Sequence, residues 1–377
     1  MRVCFISHSA GKYGAELALL ELLHGLVNLG VRCLVLVPKA GPILNELDRM
    51  NIEWRIIHYP KWTSRSLLSR IAKSLISLVI AVRMAQILAQ WRCDVVYTNT
   101  SVICVGAFAA WFARKPHVWH LHESSRQKSK TESKLEEYWI LHLMNHLSKF
   151  IVVVSHAVKN DYMRYIGIEK IRLIYQSVTL CDGIEKTDDL YHDKCFFQCV
   201  IVASLNPWKG QLEAIAALSV VIRQGINARL IVVGNGKECF LKTLQRQVKD
   251  CNLEQYVEFI GYVENPMKFI RMADVVLICS RWEGFGRVTV EAMLAGKPVI
   301  GTNSGATVEL IHDGATGLLY DPGDYNELAN KITYLYENPE KGLELGSAAR
   351  VWAVDRFTQE RYAMEVFDLL SEVLKKV

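Results

Sequence analysis

Short apolar runs alternate with helical stretches along the whole chain, and the alternation restarts once, near Lys194. The first series of runs covers residues 3–6, 33–37, 95–97, 118–121, 151–154 and 171–175. The second covers 196–203, 229–233, 257–260, 275–279 and 298–301. Runs of Val, Ile and Leu without polar alternation are strands covered on both faces, the environment of parallel strands joined by crossover helices. The expected fold class is α/β, with two Rossmann-like, doubly wound parallel sheets. At 377 residues the chain is too long for one ordinary core. The acidic stretch 181–190 lacks periodicity and reads as the linker. The expected domains are therefore 1–185 and 191–357, followed by a helix at about 358–377 with apolar residues Tyr362, Val366, Leu369, Leu370 and Val373. Open parallel sheets bind ligands at the carboxyl ends of their strands, so two facing domains are expected to form a cleft there.

One stretch carries most of the chemistry: Arg281-Trp282-Glu283-Gly284-Phe285-Gly286-Arg287-Val288-Thr289-Val290-Glu291. It follows a strand, passes two glycines and opens a helix. Backbone N–H groups at a helix start point at an anion, and glycine lets the chain approach it. Gly284, Phe285 and Gly286 are therefore expected beside a phosphate. Glu291 is expected in the first turn of the helix, where a carboxylate repels phosphate; the vicinal hydroxyls of a ribose are its natural partner.

In its wider context this stretch resembles glycosyltransferase family 4, the retaining nucleotide-sugar transferases of the GT-B fold. The match runs through Phe259-Ile260-Gly261-Tyr262, Ala273-Asp274, the Glu283 to Met293 stretch, Ala295-Gly296-Lys297-Pro298, Glu309 and Gly314-Ala315-Thr316-Gly317. The resemblance implies that the second domain binds a nucleoside diphosphate sugar and the first an acceptor. It also implies that the terminal helix returns to the first domain and that no metal or other cofactor is required. Glu283 then faces the donor sugar and Glu291 the ribose. Lys209, in Asn206-Pro207-Trp208-Lys209-Gly210, matches the family's Lys-Gly and holds the diphosphate. The family's neighbouring Arg is here Ser204, so that charge is missing; Arg287, with Arg281 on the other side of the loop, is the expected replacement. Glu283 and Glu291 are not read as a glycosidase pair. In such enzymes the departing phosphate oxygen takes the acceptor's proton.

Ser9-Ala10-Gly11-Lys12-Tyr13-Gly14-Ala15-Glu16 follows the first strand and resembles the family's Gly-Gly-Ala-Glu loop, with Tyr13 in place of the first Gly. Gly11 and Gly14 are candidates for contact with acceptor or phosphate. In His120-Leu121-His122-Glu123 one histidine corresponds to a residue that touches the transferred sugar. His122 is the preferred one; His120 remains open. Ser155 matches a family serine, whereas Gln176-Ser177-Val178 replaces the usual Asn-Gly-Val. Asn303-Ser304-Gly305 and Glu309 are expected behind the donor pocket.

Charge narrows the partners. Residues 1–190 carry 24 Lys and Arg against 16 Asp and Glu, and residues 191–377 carry 20 against 23. The basic first half shows no nucleic-acid motif but suits an anionic substrate or membrane surface. Arg65, Arg70, Lys73 and Arg83 lie among Leu, Ile and Val, which reads as a crossover helix, mostly core, with one basic end near lipid. The uncharged run 95–113 reads as a strand, a turn and a buried helix rather than a membrane span. Ten scattered cysteines without Cys-x-x-Cys suit buried thiols in a reducing cytoplasm, and the sequon Asn99-Thr100-Ser101 carries little weight. The expected setting is the cytoplasm or the inner face of a membrane, in synthesis of a cell-surface glycan with a glycan or lipid-linked acceptor. Two other readings stay open: an epimerase on the same fold, and a non-catalytic sugar-nucleotide binding module.

Overall fold

The computed structural model describes residues 1–61, 67–123, 134–180 and 195–375. The expected linker 181–190 and Arg65 lie outside them, as does the side chain of Arg70. The chain divides into two compact units, Met1–Ser177 with Thr358–Val377, and Val178–Phe357. The first boundary thus falls eight residues before the one expected.

Unit 1 begins β1 (Arg2–Ile6), α1 (Gly14–Asn28), β2 (Arg32–Val37), α2 (Ile43–Arg49), β3 (Glu53–Ile56) and α3 (Leu67–Gln90). It continues β4 (Val95–Thr98), α4 (Val105–Phe112), β5 (His117–Leu121), α5 (Lys134–Leu147), β6 (Phe150–Val153), α6 (His156–Tyr162) and β7 (Ile171–Leu173). The strands form one sheet in the order β3-β2-β1-β4-β5-β6-β7, with every pair parallel. The order reverses between β1 and β4, which is where such sheets open a crevice for ligands.

Unit 2 runs β8 (Phe197–Val202), α7 (Gln211–Arg223), β9 (Ala228–Val233), α8 (Glu238–Asp250), β10 (Val257–Gly261), α9 (Met267–Met272) and β11 (Val275–Ile278). It continues α10 (Arg287–Leu294), β12 (Val299–Thr302), α11 (Thr307–Leu310), β13 (Leu318–Tyr320), α12 (Tyr325–Glu337) and α13 (Pro339–Val354). Its sheet, also parallel, is ordered β10-β9-β8-β11-β12-β13, with the reversal between β8 and β11.

The buried runs behave as their composition dictates. Val3, Cys4, Phe5 and Ile6 are all fully buried, because β1 is central and helices cover both faces of its sheet. On one face, Leu19, Leu22 and Leu26 of α1 meet Val3, Phe5 and Val35. The last helix, α14 (Gln359–Lys375), adds Tyr362, Val366 and Leu370 to that cluster. Each such side chain contributes about 1.5–3 kcal/mol on burial, so α14 is a part of this core rather than an appendage. On the other face, Ala81, Met84 and Leu88 of α3 and Val105 and Ala109 of α4 meet Cys4, Ile6 and Leu36. The run 95–113 is indeed β4 and α4, but α3 is not mostly core: only 22% of its stretch Ala72–Gln90 is buried. Asn99 of the sequon is fully buried, and Cys195 is exposed while Cys199 is buried.

Candidate donor and acceptor sites

In unit 2 the singled-out residues gather at the carboxyl ends of β8, β11 and β12. After β8 the chain makes a single helical turn, Pro207–Lys209, capped by Asn206, whose side chain accepts from the Trp208 N–H at 3.0 Å. Gly210 follows at φ 71°, and a Cβ there would collide with the Cys279 carbonyl oxygen. Only glycine can make that bend at that distance. It holds the turn against the end of β11.

Lys209 Nζ meets Glu283 Oε1 at 2.6 Å, with both side chains mostly shielded from solvent. An ammonium and a carboxylate supplied by adjacent strands therefore neutralise each other. Gly286, at φ 96°, caps α10. The Phe285 side chain turns into the core beside Phe357, at 5.7 Å between ring centroids, so its side chain is structural. Glu291 is the fifth residue of α10 and lies in its second turn, not its first. There it is within reach of Arg287, whose Nε donates to Glu291 Oε1 at 3.0 Å. Arg287 does start the helix, but its charge is shared with that carboxylate.

Ser204 is exposed; its hydroxyl accepts from Asn206 Nδ2 at 3.0 Å, and its carbonyl accepts from Gln211 Nε2 at 3.0 Å. Asn303-Ser304-Gly305 braces the loop from behind. Ser304 Oγ donates to the Arg281 carbonyl at 2.9 Å, and the Ala306 N–H donates to the Glu283 carbonyl at 3.0 Å. Glu309 lies in the short α11.

In unit 1 the candidates lie after β1, β4 and β5. Gly11 sits under the Tyr13 ring, where a Cβ would come within 2.7 Å of the ring, while Tyr13 itself is exposed. Gly14 is the first residue of α1 and has open space around it. His122 is held at both nitrogens. Gln176 Nε2 donates to Nδ1 at 2.5 Å, and Nε2 donates to Asn99 Oδ1 at 2.8 Å. The Asn99 orientation is set by its amide N–H, which donates to the Ala15 carbonyl at 3.0 Å. Desolvation holds His122 down to about 3, so it is neutral near pH 7. A sugar hydroxyl reaches a His122 nitrogen only by displacing one of these bonds. His120 points elsewhere, with Nδ1 2.9 Å from the Tyr97 hydroxyl.

The departures Gln176-Ser177 are thus answered inside the unit, by His122 and by Glu21, whose Oε2 accepts from Ser177 Oγ at 2.6 Å. Ser155 caps α6, accepting from the Val158 N–H at 3.1 Å.

A pair not foreseen is His8 and Glu16, with Nε2 and Oε1 3.6 Å apart. Glu16 is buried, and desolvation raises its carboxyl to about 7, offset in part by the backbone N–H groups of Glu16 and Tyr13. Desolvation together with Lys61 lowers His8 to about 4. The visible signal was Glu16 three residues past Tyr13, the spacing at which a glutamate reaches back to a helix cap.

A family model described as "Glycosyltransferase Family 4" matches residues 13–180, and one described as "Glycosyl transferases group 1" matches residues 188–352. The chain belongs to the family 4, group 1 glycosyltransferases. Anabaena HepE, solved in complex with UDP-glucose, superposes on this family member with a TM-score of 0.84 at 27% identity, over 99% of this chain and 100% of that one. The N-acetyl-alpha-D-glucosaminyl L-malate synthase of Bacillus anthracis is 31% identical over 174 residues, 46% of this chain and 45% of that protein. A GDP-mannose-dependent alpha-(1-6)-phosphatidylinositol monomannoside mannosyltransferase of Mycobacterium tuberculosis is 32% identical over 181 residues, 45% and 46% of the two chains. The match spans less than half the length of both curated relatives. Sucrose-phosphate synthase of Thermosynechococcus elongatus, at 19% identity and a TM-score of 0.80, shares the fold.

Proposed function

We propose that this glycosyltransferase moves a hexose-type unit from a nucleoside diphosphate sugar to an acceptor hydroxyl, with retention of configuration. The observation that carries this is the Lys209–Glu283 pair beside the glycine-capped start of α10. A donor diphosphate takes over the ammonium and releases the carboxylate to accept hydrogen bonds from sugar hydroxyls. Developing charge on the leaving phosphate is met by Lys209, Arg287 and the first N–H groups of α10, so no metal or other cofactor enters this account. The bond from C1 to the phosphate oxygen breaks, the acceptor oxygen bonds C1 on the same face, and its proton passes to the departing phosphate. Unit 2 holds the donor and unit 1 the acceptor, a glycan or a lipid-linked saccharide in cell-surface polysaccharide synthesis. The protein works in the cytoplasm, peripherally on the inner face of the membrane, which the basic first half favours. Incubation with a panel of nucleotide sugars, read by nucleoside diphosphate release and by NMR of the anomeric product, tests the reading. An α-configured donor giving a β-configured product rules out retention, and conversion of the nucleotide sugar itself without release marks an epimerase.

Two substitutions separate the roles in unit 2. Glu291→Ala is expected to weaken the donor and the free nucleoside diphosphate by the same factor, about tenfold, because ribose contacts are equal in ground and transition states. Calorimetric titration of both ligands checks it, and unequal losses remove Glu291 from the ribose. Arg287→Ala is expected to cut turnover about 100-fold, with Ser204→Arg restoring part of it. A fully active Arg287→Ala enzyme shows that Arg287 serves only to hold Glu291.

A further inference from the structure

At the amino-terminal edge of the unit 1 sheet, between the ends of α4 and α5, lies an open groove of about 860 Å³. It is on the opposite edge from Gly14 and His122, which follow strand ends. Arg114, Lys115, Lys149 and Lys170 line it, and no Asp or Glu does among the described residues. Trp111 and Phe112, on the last turn of α4, form one wall, and Trp111 is 62% exposed. The turn that ends α4 fixes this arrangement. Arg114 adopts a left-handed conformation at φ 52°, and the Lys115 N–H closes back on the Ala110 carbonyl at 2.9 Å. The aromatic pair is thereby followed directly by two cations.

The helix packed against α4 carries a second unexplained surface. Leu75, Ile76, Val79 and Val82 of α3 recur on one face, and all are exposed, Val79 by 74%. Lys73 and Arg83 lie on the same helix. Ala72–Gln90 is long and apolar enough to cross a membrane, but Ala81, Met84 and Leu88 are fully buried in the core of unit 1. A helix anchored in a core on one side and apolar on the other lies on a bilayer rather than through it.

The geometry points to a docking face for anionic lipid, in which the groove takes a lipid phosphate, Trp111 and Phe112 sit at headgroup depth, and the α3 stripe enters the acyl boundary. Charge complementarity selects this occupant: a groove lined by Arg114 and Lys115, with no Asp or Glu among its described lining residues, calls for an anion, and the exposed aromatic and aliphatic surface of α4 and α3 calls for one attached to an apolar phase. The assignment rests on the peripheral placement above and names the surface and the lipid chemistry that achieve it.

Vesicle sedimentation of the full chain tests it, with phosphatidylcholine alone and with added phosphatidylglycerol, at low and high salt. Wild type is expected to bind only the anionic vesicles. The pair Arg114→Glu and Lys115→Glu is expected to reduce binding at least about tenfold at low salt. The pair Trp111→Ser and Val79→Ser is expected to reduce it by a similar factor at both salt concentrations. Unchanged thermal melting of both variants establishes that they fold. Wild type that ignores anionic vesicles overturns the membrane placement and this face together. Wild type that binds, with variants that bind as well, overturns this face alone. Glycerol phosphate or inorganic phosphate that abolishes vesicle binding at millimolar concentration identifies a soluble phosphate as the groove's ligand and overturns the lipid. None of these outcomes bears on donor binding.

Discussion

Glu283→Ala is expected to lower turnover by about two to three orders of magnitude while leaving nucleoside diphosphate affinity intact or slightly improved. The asymmetry follows from the ion pair. Glu283 pairs with the Lys209 ammonium at 2.6 Å. On the proposed reading, removing the carboxylate deletes its contacts with the sugar, which matter most as the sugar develops charge. It also frees the lysine for phosphate without an exchange of partners. Lys209→Ala should do the opposite to affinity, weakening nucleoside diphosphate and donor together and leaving Glu283 without its cation. Single-turnover kinetics alongside equilibrium titration separates the two effects. If both variants lose affinity equally and turn over normally once saturated, the division of roles between the pair is wrong.

The second large effect concerns acid stability. His117 and His120 are buried and neutral in unit 1. His117 lies between the Thr98 hydroxyl at 2.8 Å and the Ser148 hydroxyl at 3.2 Å, and burial holds it down to about 3. Burial, helped by His122, holds His120 well below the ordinary histidine value of 6.5. The unfolded chain therefore takes up protons below pH 6.5 that the native one refuses. The stability these groups contribute is present above pH 6.5 and is lost as the pH falls toward 3. Glu16 acts in reverse: its carboxyl is raised from 4.5 to about 7, so its contribution is present below 4.5 and disappears as the pH rises through 7. Between pH 4.5 and 6.5 the histidines outnumber it. With His8 and His122 counted as well, the net loss is of the order of one to a few kcal/mol per pH unit, from about 1.4 kcal/mol per proton. Calorimetric melting at pH 7.5, 6.5 and 5.5 should show a transition moving steadily lower, and His117→Gln should make the slope shallower. A melting temperature flat across that range contradicts the neutral buried histidines.

The architecture was legible in the sequence wherever burial was two-sided. β1, β2, β8 and β11 announce themselves because central parallel strands need apolar residues on both faces. β3 was not read as a strand: Glu53-Trp54-Arg55-Ile56 lies at the sheet edge and is half open to solvent, so its composition carries no such requirement. β13 escaped for a different reason: Leu318 and Tyr320 are buried, but three residues are too short a run to mark a strand. The helix α3 was misjudged toward the core because an apolar run does not say which of its faces finds a partner. In unit 2 the loop around Glu283 was legible because glycine is demanded by backbone geometry, which is local. What stayed hidden was who holds whom. Lys209 and Glu283 are 74 residues apart, and Gln176 and His122 are 54 apart. Such pairings are set by which strands neighbour each other, not by spacing. Even the local pair Arg287–Glu291 was missed, although a separation of four on a helix brings two side chains together. A Glu291 in the first turn would face the ribose alone; in the second turn it also meets Arg287.

The central claim is that the carboxyl edge of unit 2 binds a nucleoside diphosphate through Lys209 and the start of α10. Calorimetric titration of UDP, GDP and ADP into the wild-type chain and into Lys209→Ala addresses it most directly. The account predicts that at least one of these nucleotides binds the wild type and that its affinity falls about tenfold or more without the lysine. Wild type that binds none of them, or binding indifferent to Lys209→Ala, would contradict it.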